Sequence, residues 1–167
     1  MVNAPPVWLT TPVLGVEPVI ETFADPDGEK VAVGKWLGER IAEGVPPHEI
    51  GVFVRSSGQL RRARAAVKAA GLTAVELSEK VEIAGGQVSI GTMHLAKGLE
   101  FRAVAVMACD DDVIPSQERI ESVGDEADLE DVYNTERHLL YVACTRARDH
   151  LLVTGVEPGS EFLIDLC

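Results

Sequence analysis

Ile50-Gly51-Val52-Phe53-Val54 holds no polar side chain at any position, and the run is too short to be a buried helix. A strand with one wet face alternates between apolar and polar residues, so an unbroken apolar run belongs inside a sheet covered on both faces. Val88-Ser89-Ile90-Gly91 and Ala103 to Ala108 repeat this character. Between and around these runs lie segments with helical spacing. From Glu29 to Glu43 the apolar side chains are Val33, Trp36, Leu37 and Ile41. From Gly58 to Ala70 they are Leu60, Ala63, Val67 and Ala70, with arginines on the other side and Gly71 as the stop. A long helix is expected from about Leu129 to Ala147. Strands alternating with helices in this way imply an α/β fold, a mostly parallel central sheet with helices on both faces.

The remaining elements fit the same plan. Val19 to Phe23 and Thr73 to Leu77 read as strands, His150 to Thr154 as a closing strand, and Ser160 to Leu166 as a final short helix. Asp25-Pro26-Asp27-Gly28 reads as a turn, with Asp27 capping the helix that follows. Residues 1–18 are proline-rich and lack periodicity, so they are expected to form an extended lead-in to one domain over 19–167. At 167 residues and 46% hydrophobic, the chain can bury one such core. It shows neither a membrane span nor a secretory leader. Cys109, Cys144 and Cys167 show no CxxC spacing, which fits a reduced cytoplasmic setting.

The net charge of −12 argues at first against nucleic acid. Its distribution weakens that argument. Asp110 to Asp131 contains ten acidic residues and one basic residue, Arg119, a net of −9 that leaves the rest near −3.

In parallel sheets, ligands meet the loops after the strands, and three polar segments follow apolar runs here. Thr92-Met93-His94-Leu95-Ala96-Lys97-Gly98-Leu99-Glu100-Phe101 packs a hydroxyl, an imidazole, an ammonium and a carboxylate into nine residues. Thr92 and His94 can donate to phosphate oxygens, Lys97 adds charge, Gly98 lets backbone approach a ligand, and Glu100 suits a ribose hydroxyl or a cation. The same residues also fit a capped turn in which Lys97 and Glu100 pair at the surface. Glu136-Arg137-His138-Leu139-Leu140-Tyr141-Val142-Ala143-Cys144-Thr145-Arg146-Ala147 places Arg146 near a helix end. A forked guanidinium there suits a γ-phosphate, or simply complements the helix dipole. Val54-Arg55-Ser56-Ser57-Gly58-Gln59 puts an arginine just after a strand, which alone says little.

Taken in order, the three segments resemble motifs IV, V and VI of the UvrD/Rep-type superfamily 1 DNA helicases. Arg55 to Gln59 matches R-x-x-x-Q, Thr92 to Phe101 matches T-x-H-x-x-K-G-L-E-F at every fixed position, and Glu136 to Ala147 resembles E-x-R-x-L-L-Y-V-A-x-T-R-A, matching its fixed positions from Arg137 onward. The resemblance implies the second RecA-like motor domain, a three-layer fold. It also implies that Arg55 and Arg146 reach the γ-phosphate as arginine fingers, and that Gln59, Gly98, Glu100 and Tyr141 serve the nucleotide site. By the same resemblance Thr92, His94 and Lys97 contact single-stranded DNA, and translocation runs 3′ to 5′.

Two departures matter. The large helical subdomain usual between motifs IV and V is absent, since about twenty residues separate Gly71 from Thr92, and position 138 is histidine where arginine is frequent. The sequence also contains no G-x-x-x-x-G-K-[ST] phosphate loop. ATP and Mg²⁺ are therefore expected only in a two-domain enzyme with an N-terminal RecA-like partner domain, none bound tightly here, with no ATPase or unwinding by the chain alone. Two other readings stand beside this one. Asp110-Asp111-Asp112 after a strand fits a Mg²⁺-dependent nuclease or phosphotransferase. The acidic loop, or the face carrying Arg61, Arg64 and Lys68, fits a non-catalytic binding module.

Overall fold

The computed structural model describes residues 16–78 and 85–166. Most of the expected lead-in therefore lies outside the described residues, as does Cys167. Six strands, β1 (Val19–Phe23), β2 (Ile50–Val54), β3 (Ala74–Glu76), β4 (Val88–Thr92), β5 (Phe101–Val106) and β6 (Ala147–Val156), form one sheet. Their order is β1-β6-β5-β2-β4-β3, and every pairing is parallel. The helices are α1 (Pro26–Ala42), α2 (Leu60–Ala69), α3 (Gln117–Glu121) and α4 (Glu126–Cys144). No described helix is long and apolar enough to cross a membrane.

Period-two alternation along β5 divides the core. Ala103 and Ala105 face one layer, where Val33 and Leu37 of α1 and Ala63, Ala66 and Val67 of α2 pack against Val52, Val54 and Ile90. Val104 and Val106 face the other layer, with Phe53, Leu151, Val153, Leu140 and Cys144 of α4, and Phe162 from a last 3₁₀ turn. The small β5 side chains on the first face let two helices lie side by side. Gly34 permits that approach, since a Cβ there would stand 3.1 Å from the Ala69 Cβ. The expected three-layer α/β architecture is the one observed.

Several element ends differ from expectation for local reasons. Helix α1 starts at Pro26, not Glu29: the Asp25 side chain, not Asp27, accepts from the Gly28 N–H at 2.7 Å, and Pro26 is suited to a first turn. Helix α4 starts at Glu126 because Asp125 accepts from the Asp128 N–H at 2.8 Å. It ends at Cys144, not Ala147. Ala147 is already paired with Phe101, so β6 has ten residues where five were expected.

Candidate functional site

Because all six strands run the same way, the sheet has two chemically distinct edges. Arg55 follows β2 at the carboxyl edge, whereas Arg146 precedes β6 at the amino edge. Five residues of strand separate the edges by about 17 Å. The two arginines expected to converge on one phosphate thus sit at opposite edges of this domain.

The carboxyl edge is held by two buried carboxylates. Glu29, fully buried on α1, accepts from Arg62 (3.1 and 2.6 Å), from the Thr154 hydroxyl (2.8 Å) and from the Ala108 N–H (3.0 Å). Ala108 is held in a left-handed conformation, φ 58°. Arg62 also forks onto Asp110 (2.7 and 3.1 Å), whose Oδ1 accepts from the Val156 N–H. Burial works against charge on Arg62, but the Asp110 and Glu29 carboxylates outweigh it and raise its pKa. Glu136, fully buried on α4, accepts from Arg55 Nε and Nη2 (2.8 and 2.6 Å), the Ser116 N–H (2.6 Å) and Arg119 (2.8 Å). Burial alone would raise its pKa; the bonds from Arg55, Ser116 and Arg119 more than offset it, so Glu136 titrates below the usual carboxylate range.

Gln59 caps the Ser57–Gln59 turn, its Oε1 accepting from the Ser56 backbone N–H and hydroxyl. Asp110 is committed to Arg62, while Asp111 and Asp112 are exposed. Among the described residues no group of three His, Cys, Asp or Glu side chains is placed to hold a metal ion.

The other side of the molecule is open. From Thr92 the chain crosses the α4 face to the start of β5, anchoring on buried Met93 and Ala96. Gly98 turns it with φ +82°, the left-handed region that glycine enters without penalty. Between this crossover and α4 lies a cavity of about 630 Å³. His94, Lys97, Gly98, His138 and Arg146 line it, over an apolar floor of Met93, Leu139 and Val142. Among the described residues, no carboxylate lines it. The Arg146 guanidinium is steered, among the described residues, by neutral acceptors only: the Val142 carbonyl (3.1 Å), the Thr145 hydroxyl (3.0 Å) and the Leu99 carbonyl (3.3 Å). Its charge is positioned without being neutralised, which is what an anion site requires.

Of the expected site residues, the fold brings His94, Lys97, Gly98 and Arg146 together. Thr92 remains half-buried at the end of β4 and is not part of the lining. Glu100 is exposed and pairs with Arg148 at 3.5 Å, not with Lys97. Tyr141 is buried on the inner side of α4. Sequence reasoning missed the two anchoring carboxylates, although a signal was present. Glu29, Val33 and Leu37 follow i, i+4 spacing, as do Val132, Glu136, Leu140 and Cys144, so each acid stands on its helix's core-facing stripe.

Comparison with known proteins follows the same lines. A family model described as the UvrD-like helicase C-terminal domain matches residues 61–157. The ATP-dependent DNA helicase PcrA of Bacillus subtilis is 37% identical over 89 residues, 52% of this chain and 11% of that protein. DNA helicase II of Rickettsia typhi is 41% identical over 78 residues, 47% of this chain and 11% of that protein. The matching stretch is thus a small part of either relative. The crystal structure of the C-terminal domain of a possible DNA helicase from Lactobacillus plantarum WCFS1 is similar in fold. It has a TM-score of 0.66 at 24% identity and covers 92% of this chain and 82% of that one.

Proposed function

The chain belongs to the UvrD-like helicase C-terminal domain family, and we propose that it is half of an ATP-driven DNA motor, completed by an N-terminal RecA-like domain. The observation that carries this reading is the cavity under Thr92–Glu100, lined by no carboxylate among the described residues, which holds Lys97, Arg146 and two imidazoles in a chain of net charge −12. In this reading His94 and Lys97 hold the phosphates of a single DNA strand, with Thr92 at its margin. Arg146 presents its guanidinium to the γ-phosphate of a nucleotide seated on the partner domain, and Glu100 on the neighbouring exposed turn faces the ribose.

ATP would supply the driving reaction when bound between the domains. The cavity lining fits its phosphate oxygens; nothing among the described residues fits the accompanying Mg²⁺. Arg55 enters differently. Glu136 holds it on both Nε and Nη2, so reaching a phosphate requires exchanging one anion for another while Arg119 and the Ser116 N–H keep Glu136 compensated. Without a phosphate loop in its sequence, the chain alone is expected to release no phosphate from ATP.

Fluorescence anisotropy with a labelled single-stranded oligonucleotide tests the reading. Binding is expected to weaken steeply with salt. Lys97→Ala and His94→Ala should reduce affinity together, and Lys97→Ala should also flatten the salt slope by about 0.7, the single-strand value per phosphate contact. Absence of binding at about 50 mM salt, where phosphate contacts are strongest, would sink the single-strand role.

A further inference from the structure

A second cationic surface lies on the far side of the sheet from α4. Helix α2 carries Arg61, Arg62, Arg64 and Lys68 and no acidic residue. Arg62 turns inward to Glu29 and Asp110, while Arg61, Arg64 and Lys68 are exposed. Their i, i+3, i+7 spacing sets them in a row on one face, with steps of about 4.5 and 6 Å along the axis. Neighbouring α1 adds Lys30 and exposed Lys35. Arg64 pairs with Glu76 at 2.7 Å and Lys30 with Asp27 at 3.5 Å, but Arg61 and Lys68 have no ion-pair partner among the described residues. Lys30, Arg61 and Arg62 also line, together with Asp27 and Glu29, a cavity of about 260 Å³ at the head of the row.

We infer that this α1–α2 face is a docking surface for the phosphate backbone of duplex DNA, separate from the single-strand cavity. The inference rests on the helicase reading above. Three observations support it. The acidic stretch from Glu118 to Asp131 runs through α3 and into α4, and α4 packs on the opposite face of the sheet. Two packing layers of about 10 Å each separate the faces, more than the roughly 8 Å Debye length at physiological salt. Asp110 is already matched by Arg62, so this acidic stretch does not cancel the local charge of Arg61, Arg64 and Lys68. The patch also lacks the apolar centre of a protein interface: among the described residues, Val31 is the only exposed large hydrophobic on α1 or α2. Finally, a straight, rigid row of cations suits a stiff duplex, whose charges recur along a fixed line.

The test is anisotropy of the whole chain with a labelled blunt duplex and, separately, with a single-stranded oligonucleotide. Wild type and a variant combining Arg61→Ala, Arg64→Ala and Lys68→Ala are compared from about 50 to 200 mM salt. Wild type is expected to bind the duplex. The triple variant should bind it at least about tenfold more weakly, with a salt slope shallower by roughly 0.9 for each phosphate contact removed. Its single-strand affinity and thermal midpoint should be unchanged, because none of the three residues lines the other cavity or the core. Duplex binding of undiminished affinity and slope in the triple variant would overturn the inference. So would a wild type that binds only the single strand, and that result would leave the cavity reading intact. Capture of polyglutamate in preference to duplex would overturn it in favour of an acidic protein surface. Loss of single-strand binding in Lys97→Ala with normal duplex binding would confirm that the two surfaces are separate.

Discussion

The carboxyl edge of the sheet and the cavity under α4 contain similar side chains put to opposite uses. At the edge, Arg55, Arg62 and Arg119 converge on Glu29, Glu136 and Asp110, so each buried charge meets its opposite at 2.6–3.1 Å. In the cavity, Lys97 and Arg146 meet no carboxylate among the described lining residues. An arginine after a strand is thus not evidence of a ligand site; what matters is whether the fold supplies the counter-charge. The edge spends its cations on tying α1, α2 and α4 to the sheet, and the cavity keeps its cations available.

The largest effect should come from breaking the closed side. Glu136→Ala leaves Arg55, 6% exposed, without its bidentate partner. Removing one member of a buried ion pair costs about 3–5 kcal/mol, a large part of the stability of a domain this size. Urea unfolding of Glu136→Ala and of Glu29→Ala should show midpoints far below wild type. A loss under about 1 kcal/mol, the scale of an exposed pair, would mean that the edge networks are surface decoration and the contrast is false.

Next in size is a steric test at the same edge. A Cβ on Gly155 would stand 2.5 Å from the Cys109 carbonyl oxygen, backbone against strand, with no flexible side chain to give way. Gly155→Ala should cost about 1–3 kcal/mol by overpacking. At Gly98 a Cβ meets nothing within 4 Å, so Gly98→Ala pays only for its left-handed backbone, about 1 kcal/mol. If thermal melts reverse that order, the edge is looser than its distances imply.

Acid should separate the two regions as well. The folded-state pKa of Glu136 is depressed, so its contribution is full above the unfolded carboxylate value of about 4.3 and is lost as pH falls through the folded value. Wild type should lose urea stability steeply below about pH 4.3. Glu136→Gln, less stable at neutral pH, should lose less over the same interval. Identical pH dependence in the two proteins would show that Glu136 does not set the acid limit.

The sequence revealed the layers because buried parallel strands and amphipathic helices write their period directly into the chain. Ile50–Val54 falls where its apolar run places it, and Val19–Phe23 where a strand was expected. Helix starts were less legible. Asp25 and Asp27 are equivalent as caps on paper, and only the position of Pro26 in the first turn decides between them. The motif segments located His94, Lys97, Gly98 and Arg146, whose grouping follows from one crossover lying against one helix. Arg55 could not be placed, because its partner Glu136 is 81 residues away and became a partner only once α4 was laid on the sheet. Long-range counter-charges leave no local pattern, except as an acid on a core-facing stripe.

The smallest effect on folding, and the one that sharpens the comparison most, belongs to the open side. Lys97 and His94 are exposed, and among the described residues no carboxylate lines the cavity they share. Lys97→Ala should therefore change unfolding free energy by no more than about 0.5 kcal/mol in either direction, as exposed substitutions do. Removing a positive charge from a pocket that holds Arg146 also relieves like-charge repulsion, so a slight stabilisation is the expected sign. The same substitution should weaken single-strand binding severalfold. A side chain that contributes nothing to the fold while binding depends on it is held for a ligand; a clear loss of stability in Lys97→Ala would place it with Arg55 and Arg62 instead.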